Sequence, residues 1–145
     1  MDLKQAKELV RGRLSDKRYE HTINVKKMAV KLAKHYGTDP EQAALAALLH
    51  DCDDYKLAGE EAAEKLPNAR RILTMAGADD DMREKVLNIV ARMGYSKSLK
   101  GIRPSSLEGK VVSDADMLDA IGVGGIIRCL QYAVVRCNAF GTPLF

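Results

Sequence analysis

Apolar positions recur three and four residues apart along most of the chain, a spacing that places them on one face of a helix. Leu3, Ala6 and Val10 begin such a face. Ser15 or Asp16 can cap a second helix that carries Val25, Met28, Ala29, Leu32, Ala33 and Tyr36 on one side and stops at Gly37. Asp39-Pro40 reads as an N-cap followed by proline at the first helical position. It opens EQAALAALLHD, which is apolar nearly all round and so predicts a helix in the middle of the fold. Short helices are predicted over 58–65 and 67–76. Met82, Val86, Ile89, Val90 and Met93 form another amphipathic face, ended by Gly94. Residues 95–104 are polar, basic and aperiodic, the pattern of a loop long enough to act as a lid. Ser105 and Glu108 have the spacing of a capping box before Val111, Val112 and Leu118, three inward positions of the next helix. Gly122, Gly124 and Gly125 allow close backbone contact there, and a last helix runs through Ile126, Leu130 and Val134. No strand-like alternation and no fixed repeat intervenes, so the predicted class is all-α, a compact single-domain helical bundle.

With 145 residues and 46% hydrophobic content, the chain can bury one ordinary core, expected over 1–138. The apolar end, 139–145, is either a truncated terminus or a tail that docks on a partner. Lys and Arg number 23 against 20 acids, and this mild balance, spread along the chain, shows no dedicated nucleic-acid surface. No stretch approaches the about 18 apolar residues of a membrane span, and the charged N-terminus is no secretory leader, so a cytoplasmic protein is expected. Cys52, Cys129 and Cys137 are odd in number and lack metal-ligand spacing, which reads as reduced core thiols.

The chemistry gathers at a few polar residues in apolar surroundings. His50 and Asp51 close the buried helix, where neither group would normally be left unpaired. Four residues before Val25 stands His21, whose imidazole therefore points inward. In VSDADMLDA at least one carboxylate must face the core, and spacing alone admits Asp114 or Asp116. Two imidazoles and two carboxylates make a mixed nitrogen and oxygen set suited to Mn, Fe, Co, Ni or Zn, with Mg not excluded. Such a site points to metal-activated water rather than to a structural ion, which normally takes sulfur.

These residues resemble the HD-domain superfamily, whose members are mostly metal-dependent phosphohydrolases. The resemblance runs from RYEHTINV through AALLHDCDDYK to SLEGKVVSDADMLDAIGVGGIIR, and the last stretch is similar to a branch of uncharacterised HD hydrolases. It implies His21, His50, Asp51 and Asp116 as metal ligands, preferring Asp116 over Asp114. It also implies Asp54 as a general acid or base, at a position where some nucleotidase relatives carry Glu. Lys56 and Arg18 could hold a phosphate, since phosphoryl transfer relies on positioning and charge neutralisation. Only three histidines exist, and REKVLNIVARMGYS adds none, so one divalent metal ion is expected.

His35, about 21 Å along the helix from His21, cannot share that ion and decorates the helix end. Asp53, Asp79, Asp80 and Asp81 read as solvated or capping carboxylates. Asp119 either orients a ligand or stays on the surface. Lys97, Lys100 and Arg103 form a solvated basic patch or touch an anionic substrate. The leading expectation is a phosphohydrolase acting on a phosphate ester of a small metabolite or nucleotide. Its competitors are a non-catalytic, ligand-binding regulatory HD module and a scaffold with a metal-free buried polar network. A homo-oligomer is left open.

Overall fold

The structure, a computed structural model, describes residues 1–53, 59, 61, 65–93, 97 and 99–120. Among them are six helices and no strand: α1 (Leu3–Arg11), α2 (Asp16–Tyr36), α3 (Pro40–Leu49), α4 (Pro67–Met75), α5 (Asp80–Ala91) and α6 (Leu107–Ala120). The all-α class is therefore met. None of these helices is long and apolar enough to cross a membrane. The predicted helix over 58–65 falls largely outside the described residues. So do Gly94, the glycines after 121, the last helix and the tail 139–145.

Side-chain caps set most of the starts. Asp2 accepts from the Lys4 and Gln5 N–H groups, Ser15 from Arg18, Asp39 from Glu41 and Gln42, and Asp79 from Met82. Gly37 ends α2 with φ 70°, the left-handed conformation that favours glycine. α4 begins differently. Leu66 before it has φ 52° and offers no side-chain cap, and the work falls to Asp53, only 3% exposed. Its carboxylate accepts from Asn68 N at 3.1 Å, Asn68 Nδ2 at 2.8 Å and Ala69 N at 2.8 Å. Asp53 is thus a capping residue, but buried rather than solvated, and it caps a helix further along the chain.

The capping box at Ser105 and Glu108 is corrected. Ser106 is the cap, its Oγ accepting from Gly109 N at 3.1 Å. Glu108 instead reaches across to the end of α2, accepting from Thr38 Oγ1 and, at 3.4 Å, from Asp39 N. A partner in the turn between α2 and α3 has displaced the local one. The 95–104 loop is met over 101–104, which carry no helix, whereas Lys97 and Leu99 lie in a helical turn closed by Lys100 and Ile102 N–H groups on the Lys97 carbonyl; 95, 96 and 98 lie outside the described residues. Lys97 itself donates to the Ala91 carbonyl at the end of α5.

α3 is the axis of the fold. Every residue from Gln42 to Leu49 is buried, and the helix packs against α1, α2, α5 and α6. α2 contributes Thr22, Val25, Ala29 and Ala33 to this core, and α6 contributes Gly109, Val111, Val112 and Ala115. The inward stripes are narrower than the sequence suggested: Met28, Tyr36 and Leu118 are exposed, because a four-residue repeat runs past them. Cys52 is a buried free thiol, its pKa pushed up to about 12 by burial and by the charges of Asp53 and Asp51. This fits a reduced core residue; Cys129 and Cys137 lie outside the described residues.

Gly109 lets α6 press against its neighbours. A Cβ there would stand 2.5 Å from Pro104 Cβ, 3.1 Å from Ser106 Oγ and 3.3 Å from Ile89 Cγ1. Glycine to alanine inside a helix ordinarily gains about 1 kcal/mol. We expect Gly109→Ala to lose about 1–3 kcal/mol instead, from overpacking against a rigid proline ring. Urea unfolding checks the sign, and a stabilised variant would contradict the close approach.

Candidate metal centre

Three helix ends bring the polar residues together. The Ser15 cap fixes the start of α2, and His21 follows on the same four-residue repeat as Val25, Ala29 and Ala33. His50 is the C-cap of the buried α3, and Asp51 follows it in the next turn. The α6 repeat carries the inward side of the helix from Val112 to Asp116 and from Ala115 to Asp119. Asp114, on another face, is exposed.

His21, His50 and Asp51 each offer a ligand atom within 4.8 Å of the others. Asp116 adjoins them: its Oδ1 lies 2.9 Å from His21 Nε2 and 3.5 Å from His50 Nε2. Asp51 Oδ2 is also 3.5 Å from His50 Nε2. The two imidazoles meet edge to face with centroids 5.6 Å apart. The His50 side chain is 5% exposed, Asp51 21% and Asp116 33%, so the group opens to solvent on its carboxylate side.

The other ring nitrogens are occupied. His50 Nδ1 donates to the Ala47 carbonyl at 2.6 Å, and His21 Nδ1 donates to Asp119 Oδ2 at 2.5 Å. The Ala47 bond keeps a proton on Nδ1 and turns Nε2 toward the carboxylates. That Nε2 is buried and has no hydrogen-bond partner. An orphaned buried nitrogen 3.5 Å from two carboxylates is what a cation-binding group presents when its ligands are hard oxygens and imidazole.

The electrostatics agree. Burial alone would lower the His50 pKa, but Asp116 and Asp51 outweigh it and raise it to about 9. His21 is raised mainly by its hydrogen bond to Asp116, against the effect of burial. Burial pushes Asp116 upward, yet the two imidazoles hold it well below the usual carboxylate range. The group is thus built to hold positive charge between fixed carboxylates, and a divalent cation is the larger charge that suits it.

Arg18 sits half-buried in the first turn of α2, one turn before His21. Asp54 and Lys56, expected as acid or base and as phosphate contact, lie outside the described residues. His35 is exposed in the last turn of α2, its ring against Tyr36. Sequence reasoning had no signal for the Ala47 carbonyl, a backbone contact made at the end of α3. For Asp119 a signal existed, since Val111, Ala115 and Asp119 form one four-residue repeat.

A family model for the HD domain matches residues 18–121. The uncharacterized protein YpgQ of Bacillus subtilis is 33% identical over 141 residues, covering 91% of this chain and 68% of YpgQ. Its crystal structure superposes with a TM-score of 0.73, at 31% identity, over 100% of this chain and 73% of that one. A second crystal of YpgQ, in complex with ADP, gives a TM-score of 0.68 at 30% identity, over 99% of this chain and 70% of that one. A crystal structure described as a predicted HD superfamily hydrolase, from an uncultured Thermotogales bacterium, gives a TM-score of 0.68 at 30% identity, over 89% and 74%. A symmetrical bis(5'-nucleosyl)-tetraphosphatase of Halalkalibacterium halodurans is 47% identical over 51 residues, 35% of this chain and 27% of that enzyme.

Proposed function

The chain belongs to the HD-domain family, and on that premise we propose that it is a metal-dependent phosphohydrolase of small phosphate esters, with nucleotides the favoured substrate class. The observation that carries the reading is the orphaned Nε2 of His50, oriented by the Nδ1 bond to Ala47 and facing Asp51 and Asp116. In this reading His21, His50, Asp51 and Asp116 hold one divalent ion. The ADP complex of YpgQ and the shorter match to a dinucleoside tetraphosphatase support a nucleotide over other esters.

A bound divalent metal would supply Lewis acidity, making water a better nucleophile at neutral pH and polarising a phosphoryl oxygen. The chain's own residues do the positioning. Asp51 and Asp116 bring two negative charges to one side of the imidazoles, and burial of His50 keeps that ligand from reorienting. In this reading Arg18, in the first turn of α2, neutralises an incoming phosphate, with Lys56 in the same role. Asp54, three residues beyond Asp51, is the proposed general acid or base.

The test measures bound metal and phosphate release together. Protein purified without chelator is analysed for metal, then screened against phosphomonoesters and nucleotides with Mn, Co, Ni or Mg added. We expect about one ion per chain and turnover that chelation abolishes and metal restores. Metal without turnover on any ester would favour a regulatory binding module. Neither metal nor turnover would leave a buried polar network.

A further inference from the structure

We propose that Asp119 is a positioning residue that locks the His21 imidazole in the orientation and tautomer a metal ligand needs. The proposal rests on the metal-centre reading above and adds to it a residue outside the ligand set. Its first ground is the bond itself: Asp119 Oδ2 lies 2.5 Å from His21 Nδ1, the shortest distance within the group. The second is where that nitrogen points. Nδ1 and Nε2 face away from each other across the ring, and Nε2 is the one directed at Asp116 and His50. Asp119 therefore stands behind His21 as seen from the cation position and holds the ring there rather than ligating.

The third ground is a comparison between the two histidines. His50 is 5% exposed, walled in by the core, and its Nδ1 is held by a backbone carbonyl of its own helix. His21, at the open end of the inward stripe of α2, is 30% exposed, and packing restrains its ring less. Both rings nevertheless turn Nε2 to the same point. What burial and Ala47 do for His50, a charged acceptor from α6 does for His21. A carboxylate on the far nitrogen also makes the ligating nitrogen a stronger electron donor than a neutral carbonyl would. Because Asp116 and Asp119 are one turn apart on α6, a single helix holds the ring at both nitrogens.

The test reads affinity for Mn2+ titrated alone, by calorimetry, in wild type, Asp119→Ala and Asp119→Asn. Loss of such a partner weakens metal binding by about 10- to 100-fold, and that is the effect expected for Asp119→Ala. Asp119→Asn, which keeps an acceptor and loses the charge, should fall between alanine and wild type. The visible spectrum of the Co2+ form should change in Asp119→Ala, as a reoriented ring alters the ligand field, a change that a purely structural defect elsewhere would not produce. Binding by Asp119→Ala within twofold of wild type overturns the proposal. So does nitrogen NMR of Zn2+-loaded wild-type protein if it places the remaining His21 proton on Nε2 instead of Nδ1, whether or not the variants fold. If wild-type protein binds no ion at all, the metal-centre reading fails instead, so the two failures are distinguishable.

Discussion

Asp51→Ala should lose both metal and turnover while its metal-free fold survives. Asp51 stands at the rim of the group, 21% exposed, with its Oδ2 3.5 Å from the buried His50 Nε2. Removing it takes one of two negative charges from the cation position and opens that side to solvent. Since loss of a supporting contact already weakens metal binding by about 10- to 100-fold, loss of a direct ligand is expected to exceed about 100-fold. Phosphate release should fall to background with it. The measurement that separates the readings is thermal unfolding with and without Mn2+. Ligand at 100 times its Kd stabilises a protein by about 2.7 kcal/mol, so wild type should melt later with metal added, and the variant should not. Full activity in Asp51→Ala would show that the ligand set is wrong. A large loss of metal-free stability would instead mark Asp51 as part of a structural polar network.

The second large effect falls on stability. Leu48 is fully buried in α3, two residues before His50. Leu48→Ala removes the bulk of that side chain from the helix that α1, α2, α5 and α6 pack against, and residues such as Ala44, Ala46 and Ala47 are too small to collapse into the space. Buried leucine to alanine changes cost about 2–5 kcal/mol, and this site should lie in the upper half of that range. The denaturant midpoint should fall with an unchanged slope, since the exposed surface on unfolding stays the same. A cost under about 1 kcal/mol would mean that α3 is not the centre of the core.

How legible these features were depends on whether their causes are local. α3 was plain in the sequence because a seven-residue run, 43–49, apolar on every side has one physical resolution, burial on every side. The caps at Ser15, Asp39 and Asp79 were legible for the same reason, each satisfying N–H groups two or three residues away. Spacing alone left Asp114 and Asp116 open, although counting in fours from Val112 reaches Asp116 and leaves the exposed Asp114 off the inward stripe. What the sequence hid was tertiary. Glu108 had a local role available at Ser105 and took a distant one at Thr38 and Asp39. Asp53 gave no sign that it would cap α4, and Leu66 no sign that it would leave α4 to be capped from elsewhere. Met28, Tyr36 and Leu118 fit the periodicity but not the geometry, because an apolar residue at the edge of a stripe is buried only if a neighbour stands opposite it.

The contact between Asp53 and the start of α4 has a consequence for how such a protein can diversify. Asp53 closes the turn that begins with the metal-facing doublet, and its carboxylate holds the backbone of Asn68 and Ala69. The chain that leaves at 53 therefore returns at 68 to the point of departure, where the two ends are clamped together. Closing a longer loop costs little, about 0.6 kcal/mol per doubling of length. A change in length between those anchors leaves the turn that carries His50 and Asp51 in register. One buried carboxylate thus uncouples that turn from the length of chain that follows it.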